Sequence, residues 1–300
     1  MNDISNKKLK KIVTHSGNFH ADEVFACAVL GILNDGNVEV VRSRDPLVWA
    51  TGDYVVDVGG VYDHTTGRYD HHQIGGAGAH DNGIPYSSLG LVWKHYGEIV
   101  TGTAEAARII IGRLVEPIDA VDNGVETFSI TGVAAPYLIQ DAVVAFRPGW
   151  NESRTEDEGF FEAFDVATKI LKREIILAQG KTEGEAKARA AYDAAEDKRI
   201  IVLDGNYPSF EVLAEHAEPI YVVKPERGNN GQWKVGTIRA ESHTFKNRKD
   251  LPVAWAGKQG AELAEISGVP DATFCHNKLF VAGAGSKEGA IALAKKALEA

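Results

Sequence analysis

Apolar and polar positions fall in short blocks along the first half of the chain. "KKIVTH" (10–15) is a brief apolar run that predicts a buried strand, and "SGNF" after it reads as a loop. "ADEVFACAVLGILND" (21–35) has helical length and Ala/Leu content, with Asp22 and Glu23 in the first turn, where the helix dipole favours anions. "VEVVRSR" (38–44) and "DYVVDVGG" (53–60) are β-branched runs ending in loop signals, the pattern of strands in a βαβ arrangement. A histidine-rich stretch and the glycine-dense loop "QIGGAGAHDNGIPY" (73–86) follow. "SSLGLVWKHYG" and "TAEAARIIIGRLVEPIDAVDNG" then predict helices.

The 156–180 stretch predicts a long amphipathic helix, and 181–198 continues it with Ala and charges but few large apolar residues. That second piece reads as an exposed helical connector, which divides the chain into a domain at 1–180, a helical connector at 181–198 and a second domain at 199–300. The second domain repeats the α/β pattern: strands at "RIIVLDG", "PIYVVKPE" and "QWKVGTIRA", a helix at "SFEVLAEHA", and a closing helix "KEGAIALAKKALEA". The fold class is therefore α/β, with a parallel-sheet N-terminal domain and a smaller C-terminal α/β domain.

Composition agrees. A chain of 300 residues with 44% hydrophobic positions can bury a large core, and 31 glycines against 10 prolines suit many tight βα turns. Only Cys27 and Cys275 are present, so neither a disulfide framework nor a cysteine-rich zinc motif is possible. The start carries lysines with no apolar stretch of signal-peptide length, and no run approaches a membrane span. The expectation is a soluble, cytoplasmic protein with no membrane partner, open to homodimer formation. A net charge of −10 argues against a protein that coats long nucleic acid through Lys and Arg. Short oligonucleotides and small phosphorylated substrates remain.

The chemistry gathers at strand and helix ends. His15, His20 and Asp22 lie in "VTHSGNFHADE", Asp57 ends "YVVD", Asp70, His71 and His72 are adjacent in "RYDHHQ", and Asp119 and Asp122 stand in "IDAVDNG". Taken singly, Asp57 reads as a turn or cap and Asp122 as a turn residue. In a parallel sheet, however, the carboxyl ends of the strands share one edge, so these positions converge. Carboxylates and imidazoles without thiolate suit Mn²⁺, with Mg²⁺, Co²⁺ or Zn²⁺ as alternatives. Two ions about 3.5–4 Å apart, bridged by a carboxylate, can clamp a phosphate and generate hydroxide at neutral pH.

"HADE", "VVDVGGVYD", "RYDHHQ", "NGIPYSSLGLVW" and "IDAVDNG" resemble, in this order, the melanocyte-proliferating-gene (Myg) branch of the DHH phosphoesterase superfamily. The resemblance extends through "GW" (149–150) to "FCHNKLFVAGAGSKEGAI". It implies an N-terminal DHH-type domain carrying two metals and a smaller substrate-binding domain. It further implies His15, His20 and Asp57 around one ion, and Asp22, Asp57, His71 and Asp122 around the other, with Asp57 bridging. His72 would face the substrate phosphate, supported by Asp70. The superfamily usually has aspartate where His20 stands, after a loop one residue shorter, and the extra imidazole favours Mn²⁺ or Zn²⁺ over Mg²⁺.

For the C-terminal domain the resemblance points to the glycine-rich turn "AGAGS" (282–286), where Gly283, Gly285 and the following helix N-terminus would take an anion. Arg239, His243, His276 and Lys278 are the nearby cations to consider. The implied activity is a metal-dependent phosphodiesterase, a 3′–5′ exonuclease on RNA or short oligonucleotides. A small-molecule phosphohydrolase (pyrophosphate, nucleotide phosphate or cyclic dinucleotide) and a metal-binding regulatory protein without turnover stand as alternatives. His80-Asp81 lies in the glycine loop rather than on a helix, which reads as a mobile lid beside the site. His64 reads as surface, and the five tryptophans as packing residues.

Overall fold

The structure, a computed structural model, describes residues 8–126, 128–129, 131–228, 231–240 and 246–300. The chain divides into two compact α/β units, Met1–Gln179 and Gly180–Ala300, each with its own five-stranded sheet among the described residues.

In the first unit, β1 (Lys10–Thr14) leads into α1 (Ala21–Leu33), β2 (Val38–Arg42), the short α2 (Pro46–Trp49) and β3 (Tyr54–Val56). The hairpin of β4 (Tyr62–Asp63) and β5 (Arg68–Tyr69) follows. Then come α3 (Ser88–Thr101), α4 (Ala104–Ile110), a π-helical turn, α5 (Glu116–Asp122), α6 (Ile139–Val144) and the start of α7 (Glu156–Ala194). The strand order is β2-β1-β3-β5-β4; the first four run parallel, and β4 pairs antiparallel with β5 at the edge. The expected parallel sheet is thus present, with one reversed strand that the histidine-rich stretch hid from the apolar pattern.

α1 is buried from Ala21 to Gly31 and packs on α3, α5 and α6. A helix apolar on all sides belongs in a core, and its small Ala26, Cys27 and Ala28 let neighbours approach closely. α7 applies Phe160, Ala163, Ala167, Leu171, Ile175 and Ala178 to the same core, spaced three and four residues apart. The 156–180 and 181–198 stretches run as one continuous helix as far as Ala194.

The second unit contains β6 (Ile200–Val202), α8 (Phe210–Ala214), β7 (Tyr221–Pro225), β8 (Trp233–Thr237), α9 (Gly260–Ser267), β9 (Ala272–Cys275), β10 (Val281–Ala284) and α10 (Lys287–Glu299). Its order is β6-β7-β8-β10-β9, parallel between β6 and β7 and antiparallel elsewhere. No described helix is long and apolar enough to cross a membrane.

One glycine locks the packing beside the strand ends. A Cβ at Gly90 in α3 would lie 2.0 Å from Asp119 Oδ2, and the Gly90 amide donates to Asp119 Oδ1 at 3.0 Å. Gly90→Ala should therefore destabilise the chain by about 1–3 kcal/mol through overpacking. Gly112→Ala, with no described atom within 4 Å of the added methyl, should not. Urea midpoints of the two variants check this; equal values would show that Asp119 can move aside.

Candidate metal centre

His15, Asp57 and Asp70-His71-His72 each follow a parallel strand: β1, β3 and β5, neighbours in the sheet. The N-terminus of α1 brings His20, Asp22 and Glu23 to the same edge, and α5 ends on Asp122. Asp57 has a left-handed backbone (φ 56°), a conformation Asp tolerates better than most residues, and its amide is tied to Tyr69 O at 3.0 Å. That turn points its buried carboxylate back over the strand ends.

The carboxylate lies between two imidazoles. His15 Nε2 is 3.3 Å from Asp57 Oδ2 and 3.1 Å from Glu23 Oε1. His71 Nε2 is 3.3 Å from Asp57 Oδ1 and 3.2 Å from Asp122 Oδ2. Four trios bring donor atoms within 4.8 Å of one another: His15–His20–Glu23, Asp57–His71–His72, His20–Asp22–Asp122 and Asp22–Glu23–Asp57. All six sequence-predicted ligands are therefore brought together. Asp70 is buried beside them and accepts from the Gly60 amide at 2.5 Å and from His72 Nδ1 at 2.7 Å. The His72 side chain is 62% exposed.

Several donor atoms are close but unsatisfied. Asp22 Oδ1, Asp57 Oδ1 and His71 Nε2 are buried without a correctly angled hydrogen-bond partner among the described residues. A buried polar atom left unpaired costs about 1–3 kcal/mol, and inward-facing oxygen and nitrogen lone pairs are what a divalent cation satisfies. The donor set fits such an ion, oxygen and imidazole matching Mn²⁺ or a neighbour in hardness.

The electrostatics point the same way. Burial and the nearby Asp22 and Asp57 carboxylates push Asp122 up to about 8. Burial, partly offset by His15, pushes Glu23 up to about 8, and burial also raises Asp22. Burial works against the His15 and His71 cations, yet the carboxylates facing them, Asp57 first, outweigh it and lift them to about 10 and about 9. Burial alone would raise Asp57 too, but His15 and His71 hold it well below the usual carboxylate range. Burial lowers His20. Protons thus stand in for positive charge that the centre demands.

Three contributors, Glu23, Arg44 and Trp49, went unread as site residues in the sequence. Glu23, noted there only for the dipole, accepts the His20 amide at 2.9 Å as a capping residue and also faces His15; its spacing from His20 was the available signal. Arg44 and Trp49 line the roughly 950 Å³ cavity over the centre, from a loop and a four-residue helix that carry no periodic signal. His80 Nε2 binds Asp119 at 2.6 Å and is nearly buried, so the loop expected to be a mobile lid is fastened at its middle. Asp119 itself, one of the acids picked out at the helix end, is saturated by Ser87, Gly90 and His80.

In the second unit, Arg239, His276 and Lys278 line one cavity, and Gly283 and Gly285 do not. The glycine-rich turn is not an open anion site. Ser286 donates to Asp271 Oδ2 at 2.5 Å, and a Cβ at Gly289 would sit 2.1 Å from Asp271 Oδ1. The Asp271 carboxylate already occupies the N-terminus of α10, where a second anion would be repelled. Gly283 packs inside β10, where an added Cβ would meet Thr273 and Phe274. His243 lies outside the described residues.

Fold and site together define an α/β protein with a buried histidine–carboxylate cluster at its strand ends whose donor atoms could hold a metal ion. The profile MYG1_exonuc, described as "Uncharacterised protein family (UPF0160)", matches residues 11–298. The chain is 32% identical to the MYG1 protein C27H6.8 of Caenorhabditis elegans, covering 96% of this chain and 95% of the relative. It is 30% identical to the MYG1 protein C694.04c of Schizosaccharomyces pombe, over 97% and 98% of the two chains. It is 31% identical to the human protein named MYG1 exonuclease, over 96% and 85%. This chain belongs to the MYG1 family.

Because His15, His71, Glu23 and Asp122 hold protons near neutrality, a divalent cation must displace them. Mn²⁺ uptake at pH 7 should release protons, and affinity should rise as pH approaches about 9–10, where His71 and His15 lose theirs. Without metal, both histidines have folded values above their ordinary 6.5, so their stabilisation is complete below that value and fades as pH passes through about 9–10. Calorimetric titration in buffers of different ionisation enthalpy measures the protons released. Uptake with none released would contradict this assignment.

Proposed function

We propose that this chain is a two-metal-dependent phosphodiesterase of the DHH type, acting as a 3′–5′ exonuclease on RNA or short oligonucleotides. The observation that carries the reading is the position of Asp57, with one carboxylate oxygen toward His15 and the other toward His71. That is the arrangement a bridging ligand requires. His15, His20 and Asp57 would hold one ion, with Glu23 beside them; Asp22, Asp57, His71 and Asp122 would hold the other. The names of mammalian relatives, including the human MYG1 exonuclease, support the nuclease class.

Bound divalent ions would supply Lewis-acid stabilisation of the phosphoryl oxygens and a lowered pKa for water, with Mn²⁺ favoured by the mixed donor set. Ions in place of the His15 and His71 protons would keep positive charge at this edge, where a phosphodiester would enter. Asp70 fixes the His72 ring through Nδ1, leaving Nε2 to contact a phosphoryl oxygen from the exposed side of the cavity. Arg44, whose Nε donates to Ser16 O at 3.0 Å, adds a positive group at the same cavity. Trp49, anchored through Nε1 to Ser43 O at 2.9 Å, offers an aromatic surface there. The acidic net charge favours short strands over long structured RNA.

Mn²⁺-loaded protein incubated with 5′-labelled RNA should shorten it stepwise from the 3′ end, and Asp57→Asn and His71→Ala should each remove at least about 99% of the rate, the scale of losing a ligand that orders the reacting centre. DNA, pyrophosphate and cyclic dinucleotides run in parallel separate the alternatives; turnover of pyrophosphate alone would sink the exonuclease reading. Elemental analysis of Asp57→Ala should find both ions lost. Two ions retained per chain would disprove the bridge.

A further inference from the structure

His15 and His20 are joined by a loop without regular secondary structure, between the end of β1 at Thr14 and the start of α1 at Ala21. Side chains from elsewhere in the unit hold its backbone. Arg44 Nε donates to Ser16 O at 3.0 Å, and Arg42 Nη2 donates to Gly17 O. Arg147 donates to Phe19 O through Nε at 2.8 Å and also through Nη2. Where the loop meets α1, Gln140 Oε1 accepts the Ala21 amide at 2.7 Å, one of the donors a helix start leaves unpaired. Arg147 and Gln140 stand 128 and 119 residues from these partners, so the loop takes its shape from distant chain.

The clamp is set in the core. The Phe19 side chain is fully buried, edge-on to Phe160 at 5.7 Å, and the Arg42 and Arg147 guanidinium carbons lie 5.6 and 5.7 Å from its ring. The Arg42 side chain is 1% exposed, and Asp157 Oδ1 of α7 meets its charge at 2.6 Å. A guanidinium has donors enough to serve a carbonyl and a carboxylate together, which a single ammonium does less well. Arg42 thus draws its carboxylate from α7 and leaves those of the metal centre to an ion. The other proposed ligands have anchors of their own. Ser88 Oγ donates to Asp22 Oδ2 at 2.7 Å, the Asp57 amide is held by Tyr69 O, and His71 follows β5.

We infer that Arg147 and Gln140, from the far side of the unit, are positioning residues of the metal centre. They hold the loop so that His20 stays beside His15, with ring centroids 6.4 Å apart. They therefore set the affinity of the ion those two histidines would share, and not of the ion held by Asp22, His71 and Asp122. Which ion is affected rests on the two-metal reading; the holding of the loop does not.

Manganese calorimetry of the full chain, with paramagnetic resonance of the loaded protein, tests this. The parent chain should take up two ions with a spin-coupled spectrum. Arg147→Met keeps the aliphatic stem and removes every donor. It should hold one ion with unchanged affinity and the other about 10–100-fold more weakly, the scale of losing an outer partner of a metal ligand. Its spectrum should show isolated ions in place of coupled pairs. Gln140→Leu should act in the same direction, and Arg147→Lys, which keeps a cation and a donor, should recover part of the loss. A cooperative urea transition shows that each variant is folded. Two sites weakened alike, or two sites unchanged in Arg147→Met, would overturn the inference. A parent chain taking up fewer than two ions would count against the two-metal reading instead, and amide exchange without metal then judges the clamp. Arg147→Met should lose protection at the His20 and Ala21 amides; protection kept there would overturn the inference as well.

Discussion

The Asp57 carboxylate, buried between His15 and His71, is the interaction around which the first unit is arranged. A parallel sheet delivers its strand ends to one edge, but only a left-handed residue after β3 turns a carboxylate back over that edge. The surroundings hold it there. The Asp57 amide is fixed to β5 through Tyr69, and Asp70 clamps the Gly60 amide just beyond the turn. Gly67, with φ 72°, lets the β4–β5 hairpin pass where a Cβ would lie 2.3 Å from Asp53 O. A small displacement of any of these would separate the two imidazoles from the one carboxylate they share.

Buried acids in this protein divide into two kinds, and hydrogen-bond saturation tells them apart. Asp119 accepts from Ser87, Gly90 and His80 and does structural work, fastening a loop and joining α3 to α5. Asp22 and Asp57 each keep an oxygen with no such partner among the described residues. Low dielectric surroundings make that difference large, because an unpaired oxygen retains its full desolvation cost. The α10 turn resembles an anion site in sequence but is filled from within by Asp271.

The alternation of apolar runs was enough to place β1, α1, β2, β3 and α3, because burial imposes a period of two or about 3.6 on any chain that must hide one face. The βαβ order then implied a parallel sheet and the convergence of His15, Asp57, His71 and Asp122 at its edge. Residue type set the chemistry, since carboxylates and imidazoles without thiols form a donor set suited to a hard, nitrogen-tolerant ion. Elements lacking that periodicity were not legible. The two-residue strands β4 and β5, the four-residue α2 with Trp49, and α9 are too short or too mixed in polarity to stand out.

Tertiary structure decided what periodicity cannot carry, namely which polar atoms find partners. The spacing of Glu23 from His20 marks a capping residue but not one that faces His15, and nothing local distinguishes Asp119 from Asp122 three residues later. Only the packing of α3 against α5 gives Asp119 its donors and leaves Asp122 to His71. In the second unit, Asp271 and Ser286 meet because β9 and β10 pair antiparallel, and that meeting closed the glycine turn to anions. The sequence by itself determined which groups are present and roughly at which edge. Long-range contacts determined which of them remain unsatisfied, and unsatisfied groups are the ones able to bind.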